Sequence, residues 1–505
     1  MKNLFLLFTI LLGLNSCNSW LDVQPYDRVA EDVVFESVKG FENALNGIYI
    51  ELNTNSLYGQ YLSCEMIEIM AQRYSVNKSN AFNYDLMLHK YTEQGCKARF
   101  ASIWKDAYSL IANINLLLKN CESHRNVLTD EYYNLLKGEC YALRAFLHFD
   151  IFRLFGPVYD LDVMTVNLPY YKEFSLDKRP SCKPDEFMNC VIEDLHRADS
   201  LLQDDPVLQE GTDMVHDNAF VSYRKYRLNK YGVQLLLARA ELYRGNKEAA
   251  LVAARKVIDA QEQWFPWVTR EAVSSGRSDP DRVFYPEILW GLQNFKLSNL
   301  HISLFGGENL SPLVMLAPLG GQIDKIFENN RDDYRYEAYF RNRQIINGAS
   351  YNMFEKFKAT QDTIAGTIIP LLRMSEAFYI AAECEPNASD GLVWLNQVLT
   401  HRGVRNVTNE RYLASTLEKE YIREFWGEGQ LFFYYKRLKY PSIHRADDAT
   451  YNVMKQMTLS DYQLRKKNLN TIELLIYEKK MVYETFDFNY RYYKLHIAGM
   501  SAYRG

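Results

Sequence analysis

Residues Thr129–Pro157 read TDEYYNLLKGECYALRAFLHFDIFRLFGP. Apolar side chains fall at 132, 136, 140, 143, 147, 151 and 154, one stripe at helical period. A second stripe runs through Leu135, Ala142, Phe146 and Phe149. A helix apolar on more than one face lies between other elements rather than on top of them. Thr129 is the expected N-cap, Asp130 and Glu131 sit where the helix dipole favours negative charge, and Gly156-Pro157 ends the run. Some 24 helical residues would span roughly 36 Å. Ala142 and Ala145 let neighbouring backbones come close. The stretch reads as the central beam of an α-helical solenoid.

Helix pairs elsewhere fit that reading. Residues 228–260 read LNKYGVQLLLARAELYRGNKEAALVAARKVIDA, two helices meeting at Gly245-Asn246. Ala238 and Ala250 match the small-residue positions of a tetratricopeptide repeat, where small side chains let two helices nest. Residues 371–402 repeat the logic more loosely, with a turn at Asn387–Gly391 and Val393 as the inner position of the second helix. Arg373, Glu376 and Glu383 read as charge pairs fixing helix register. Helix is also expected from Phe35 to Tyr49, Phe100 to Lys119, Pro184 to Leu202 and Leu417 to Arg437. In the last of these, Gly427 and Gly429 sit inside the helix and mark close packing. Glu193-Asp194 is a solvated face or a clamp on a neighbour rather than a catalytic pair.

Two stretches break the pattern. Residues 54–100 are polar, Tyr-rich and poorly periodic, and read as long loops with short elements; binding residues tend to sit in such loops on a rigid scaffold. Residues 261–350 carry Trp264, Trp267 and Trp290, the pairs Gly306-Gly307 and Gly320-Gly321, and prolines at 266, 280, 286, 312 and 318. They lack helix pattern and read as a loop-rich insert draped over the solenoid.

The chain has 505 residues, 48% hydrophobic, with a formal charge of −5, or −6 after loss of a leader whose only charge is Lys2. No long basic run is present, which argues against nucleic acid as a partner. Leu4–Leu14 is an apolar segment too short to span a bilayer. No other stretch is apolar for long enough to cross one. Of the eight cysteines, the seven after Cys17 form no CxxC or Cys/His cluster. Free buried thiols are favoured over a Cys182–Cys190 pair, and neither a metal nor a cofactor is expected. GxSxG, HExxH, P-loop and dinucleotide fingerprints are absent.

Several motifs together carry a family resemblance. Gly138-Glu139, Ala142–Phe146 and Arg153–Gly156 in the beam resemble a run typical of the SusD/RagB family. So do Trp104–Tyr108 and Asn113–Leu117, Ile192–Leu195, Glu287–Trp290, Asp332–Tyr336, Arg373–Glu376 with Ala382-Glu383, and Glu424 with Gly427–Gly429 and Arg437. Leu14-Asn15-Ser16-Cys17 resembles a bacterial lipobox, and Trp20-Leu21-Asp22 with Pro25 resembles the family's N-terminal strap. Several acyl chains on Cys17 would anchor the protein stably.

The resemblance implies a mainly α, tetratricopeptide-like right-handed helical solenoid with a loop-rich insert and a few short strands. It implies a signal peptide at 1–16, an N-terminal helical part at 17–260, the insert at 261–350 and a C-terminal helical part at 351–505, all in one compact domain. In function it implies a non-enzymatic nutrient-binding lipoprotein, facing the cell exterior from the outer membrane. Such a protein captures an oligosaccharide or peptide for a SusC-type TonB-dependent transporter. A repeat scaffold in outer-membrane assembly and a surface glycoside hydrolase are the alternatives. A glycan site needs aromatic faces for the C–H side of sugar rings and a few polar groups for the hydroxyls. On position and chemistry, Tyr58, Tyr61, Tyr74 and Tyr84 with Trp264 and Trp267 are the candidate platform, and Arg73 the polar partner.

Overall fold

The computed structural model describes residues 33–159, 168–175, 179–306, 310–311, 313–362, 364–444 and 451–453. The expected signal peptide, Cys17, the strap and most of the C-terminal segment after 444 lie outside the described residues.

The principal helices, in chain order, are α1 (Val38–Glu51), α2 (Gln94–Ser123), α3 (Asp130–Phe155), α4 (Pro184–Leu201), α5 (Lys230–Tyr243), α6 (Lys247–Ile258), α7 (Met374–Cys384), α8 (Ala388–Thr400), α9 (Leu413–Glu424) and α10 (Leu431–Arg437). The main strands are β1 (Ile288–Gln293), β2 (Arg343–Ile346), β3 (Ala349–Asn352) and β4 (Ile368–Arg373). Each helix from α2 to α9 packs against the next in this series, so the fold is mainly helical and stacked pairwise, like tetratricopeptide repeats. One continuous hydrophobic core runs from Phe35 to Ile443.

The beam forms as expected. Thr129 Oγ1 accepts from the Tyr132 amide at 3.3 Å, the acidic pair fills the first turn, and the helix ends at Gly156. From Leu135 to Phe155 nearly every residue is buried, charged ones included. Burying a charge is tolerable only when it is paired, and each one here is. Arg144 grips Asp194 of α4 with two 2.7 Å hydrogen bonds, while Glu193 stays at the surface with Lys172 and Arg197. Glu139 binds Arg224 at 2.5 Å and accepts from Tyr49 at 2.7 Å. Asp150 pairs with Arg153 and accepts from Tyr58 at 2.8 Å. Lys436 of α10 ends the beam: its Nζ donates to the carbonyls of Arg153, Leu154 and Gly156 at 2.7, 3.2 and 2.8 Å. Burial pushes this amine down to about 7.

The insert differs from the expectation. It contains helices at Leu297–Phe305, Gly320–Ile326 and Tyr334–Phe340, each of 7 to 9 residues and too short to show a period in sequence. It is also woven into the core rather than draped over it. β1 pairs antiparallel with β4, and Trp290 on β1 is fully buried, edge-on to Phe146 of the beam at 4.9 Å. The β2–β3 hairpin turns at Asn347-Gly348, both at positive φ.

Two further details are corrected. The run 417–437 is not one helix. Gly427 and Gly429, at φ +75° and +69°, break it into α9 and α10, because only glycine adopts that conformation readily. The inner small residue of the second repeat is Gly391, not Val393, which is exposed. Asn246 and Asn387 sit at the N-caps of α6 and α8, and four residues on from each come Ala250 and Gly391. A Cβ at 391 would lie 2.5 Å from the Ala382 carbonyl oxygen.

A buried ionic centre ties insert to repeats. Glu424 accepts from Arg335, Arg373 and Arg402. Arg402 also reaches Glu287 at the foot of β1, and Lys356 and Arg373 meet Glu428. Arg239 pairs with Glu376 and Arg437 with Glu383, the register-fixing role expected of these acids. Burial pushes the Glu424 carboxyl up, but Arg402 and Arg373 outweigh it and hold it well below the carboxylate range.

Candidate functional site: an aromatic and cationic strip

The loops between α1 and α2 carry two short helices, Met66–Met70 and Ala81–Met87. Asn80 caps the second: its Oδ1 accepts from the Asn83 amide at 3.2 Å, and its Nδ2 donates to the Leu313 carbonyl of the insert at 3.1 Å. Ser75 forms a β-bridge with Ala317. Loop region and insert therefore abut here, and the exposed side chains of Ile302, Leu313 and Val314 lie on the insert side.

Phe82, in the first turn of that short helix, leans against the start of α2. A Cβ on Gly95 would stand 2.6 Å from the Phe82 ring, so glycine is what lets the helix start there. One turn on, the Arg99 guanidinium lies over two rings, 3.8 Å from the centre of Phe82 and 4.6 Å from that of Tyr61. Arg99 Nη1 donates to Glu65 Oε1 at 2.8 Å, and Gln60 Nε2 donates to the other oxygen of the same buried carboxylate. Tyr61, Phe82 and Arg99 are all half-buried. The strip thus runs from Leu313 through Asn80 and Phe82 to Arg99, Tyr61 and Glu65. It presents aromatic surface beside N–H donors, the pairing that a sugar ring needs. Beside it, burial pushes the Cys96 thiol up to about 12, so no reactive thiolate stands there.

The seven candidates from the sequence divide accordingly. Tyr61 is in the strip, and Tyr84 is half-buried on the same short helix as Phe82. Tyr58, Tyr74 and Arg73 are core residues, a correction. Tyr58 serves Asp150, and Tyr74 donates to the Cys64 carbonyl at 3.0 Å. Arg73 is fully buried over Trp426, with Nε 3.1 Å from Glu68, which itself takes the Gly429 amide. Their polarity in a loop suggested exposure, but the loop is packed under the surface and these groups satisfy buried partners. Trp264 and Trp267 are half-buried elsewhere. Trp264 covers Gly211, and Trp267 stacks on His401 at 5.0 Å. Among the described residues no ring contact joins either tryptophan to the strip. Phe82 and Arg99 were missed because Gly95, a poor helix former, hides the true start of α2 at Gln94.

Cys64, Cys96, Cys121, Cys140, Cys182, Cys190 and Cys384 are free thiols, five of them buried. Among the described residues no group of three His, Cys, Asp or Glu is placed to hold a metal ion, and no helix is long and apolar enough to cross a membrane.

These features define a class: a pairwise-stacked helical solenoid with a loop platform on its flank. Solved structures share the fold. A putative sugar binding protein of Bacteroides vulgatus superposes with a TM-score of 0.64 at 21% identity, covering 84% of this chain and 91% of that one. A SusD superfamily protein of Bacteroides thetaiotaomicron superposes with a TM-score of 0.63 at 18% identity, covering 84% and 93%. A family model of SusD-like proteins, described as starch-binding and associating with the outer membrane, matches residues 19–213. SusD-like protein P38 of Formosa agariphila is 24% identical over 271 residues, 52% of this chain and 46% of that protein. SusD-like protein P25 of the same organism is 21% identical over 377 residues, 70% and 65%. The matched stretches span less than two thirds of either relative's length. Over residues 19–213 the chain resembles SusD-like proteins in sequence, and its fold is the one those solved structures share.

Proposed function

We infer that this protein is an outer-membrane lipoprotein that binds oligosaccharide at the cell surface and passes it, uncleaved, to a SusC-type TonB-dependent transporter. Lipid attachment is at Cys17. The observation that carries the reading is a coincidence of place. The residues that match a starch-binding, outer-membrane-associated family include Tyr61, Phe82 and Arg99, the half-exposed aromatic and cationic strip. The buried carboxylates of the ionic centre are engaged by arginines, which gives them a structural role.

The test is calorimetry of the full chain in detergent against a panel of oligosaccharides, with affinity purification from its native membrane. Saturable binding without turnover, and a co-purifying barrel protein, are expected. A barrel without any ligand would favour the scaffold reading. Release of reducing ends, abolished by one carboxylate-to-amide change, would establish a hydrolase.

A further inference from the structure

The way Arg99 is held says what the ligand brings to it. Both ring centres lie within 4.6 Å of its guanidinium carbon, so the cation is packed against Phe82 and Tyr61. Its N–H donors form a fork in the plane of the group. The structure gives that fork one hydrogen bond, from Nη1 to Glu65, and leaves the side chain 24% exposed. A guanidinium fork favours a partner with two coplanar or near-coplanar oxygens, the geometry of a carboxylate or a sulfate. Glu65 and Gln60 fix the orientation of the fork from behind, so little side-chain freedom is lost when an anion docks.

Resting on the capture reading above, we propose that the strip selects acidic oligosaccharides, with Arg99 receiving a carboxylate or sulfate substituent. The neighbouring rings cover the apolar side of the same or the next sugar. Glu65 is a positioning residue: it holds Arg99 and does not touch the ligand.

The experiment is calorimetry of the full chain in detergent with three probes: an oligogalacturonate, the same oligosaccharide after carboxyl reduction, and a sulfated neutral oligosaccharide. Binding of one acidic probe at least about tenfold tighter than the reduced one is expected, since charge-assisted bonds are roughly twice as strong as neutral ones. Which acidic probe binds distinguishes carboxylate from sulfate. Affinity for it should fall as salt rises, a readout that needs no variant. Arg99→Lys, which keeps the charge and loses the fork, should weaken that binding by about tenfold or more while its melting curve stays cooperative. Equal binding of the reduced probe, or an Arg99→Lys chain that binds unchanged, overturns the proposal and leaves oligosaccharide capture standing. Binding of no saccharide at all, with no barrel in the purification, overturns both.

Discussion

Arg402 holds Glu424 with a two-pronged hydrogen bond, Nη2 to Oε1 at 2.7 Å and Nε to Oε2 at 3.0 Å, and both side chains are fully buried. The pair joins the second residue after α8 to the end of α9, and Arg402 extends the link to Glu287 beneath β1. A carboxylate shared by three arginines cannot lose its charge cheaply. Glu424→Gln keeps the shape and leaves the guanidinium groups short of a counter-charge. Stability should fall by about 3–5 kcal/mol, read by urea denaturation. The folded-state pKa lies below the ordinary value, so this contribution is complete above pH 4.5 and fades as pH falls below it.

Lys436 carries a pH dependence of opposite origin. Its folded-state pKa of about 7 lies below the ordinary 10.5, so between those values the unfolded chain binds the extra proton. Stability of the wild type should therefore rise, relative to Lys436→Met, as pH increases from about 7 to 10. Paired denaturation curves at several pH values read the difference. A gap that stays constant would mean the amine is not shifted.

Arg73 and Tyr74 separate packing from binding. Arg73→Met strands buried Glu68 and should cost about 3–5 kcal/mol. Tyr74→Phe loses one buried hydrogen bond, worth about 0.5–1.5 kcal/mol. Neither should change ligand affinity of the folded protein, measured by calorimetry at a temperature where each variant is fully native.

The register of the second repeat is open to a paired test. Gly391→Val drives a side chain into the Ala382 carbonyl and Leu413, and should lower stability by about 1–3 kcal/mol or more. Val393→Ala, on the exposed face, should stay within about 0.5 kcal/mol. Thermal melts of the two decide which position faces inward.

Much of this architecture is legible in the chain alone. The beam, its cap at Thr129 and both helix pairs follow from local rules, whereas the strand at Ile288–Trp290 is legible only through the family resemblance and the Glu193-Asp194 pair only as a solvated face or a clamp. Periodicity and capping chemistry act over a few residues, and a long helix repeats its signal many times. The short helices of the insert offer no such repetition, and the glycines at 427 and 429 look alike in sequence whether they pack inside a helix or break it.

The sequence by itself determined a stack of helix pairs around an apolar beam, because burial of a 3.6-residue stripe leaves few alternatives. Only the tertiary structure decided which polar loop residues face solvent. Arg73 and Arg99 are the same residue type in the same stretch, yet one is sealed against Trp426 and the other lies against Tyr61 and Phe82 at the surface. That difference comes from partners distant in the chain, Gly429 and the α9 carbonyls for the first, the start of α2 against the Ala81–Met87 helix for the second. No local pattern encodes such meetings, because they exist only once the chain has closed on itself.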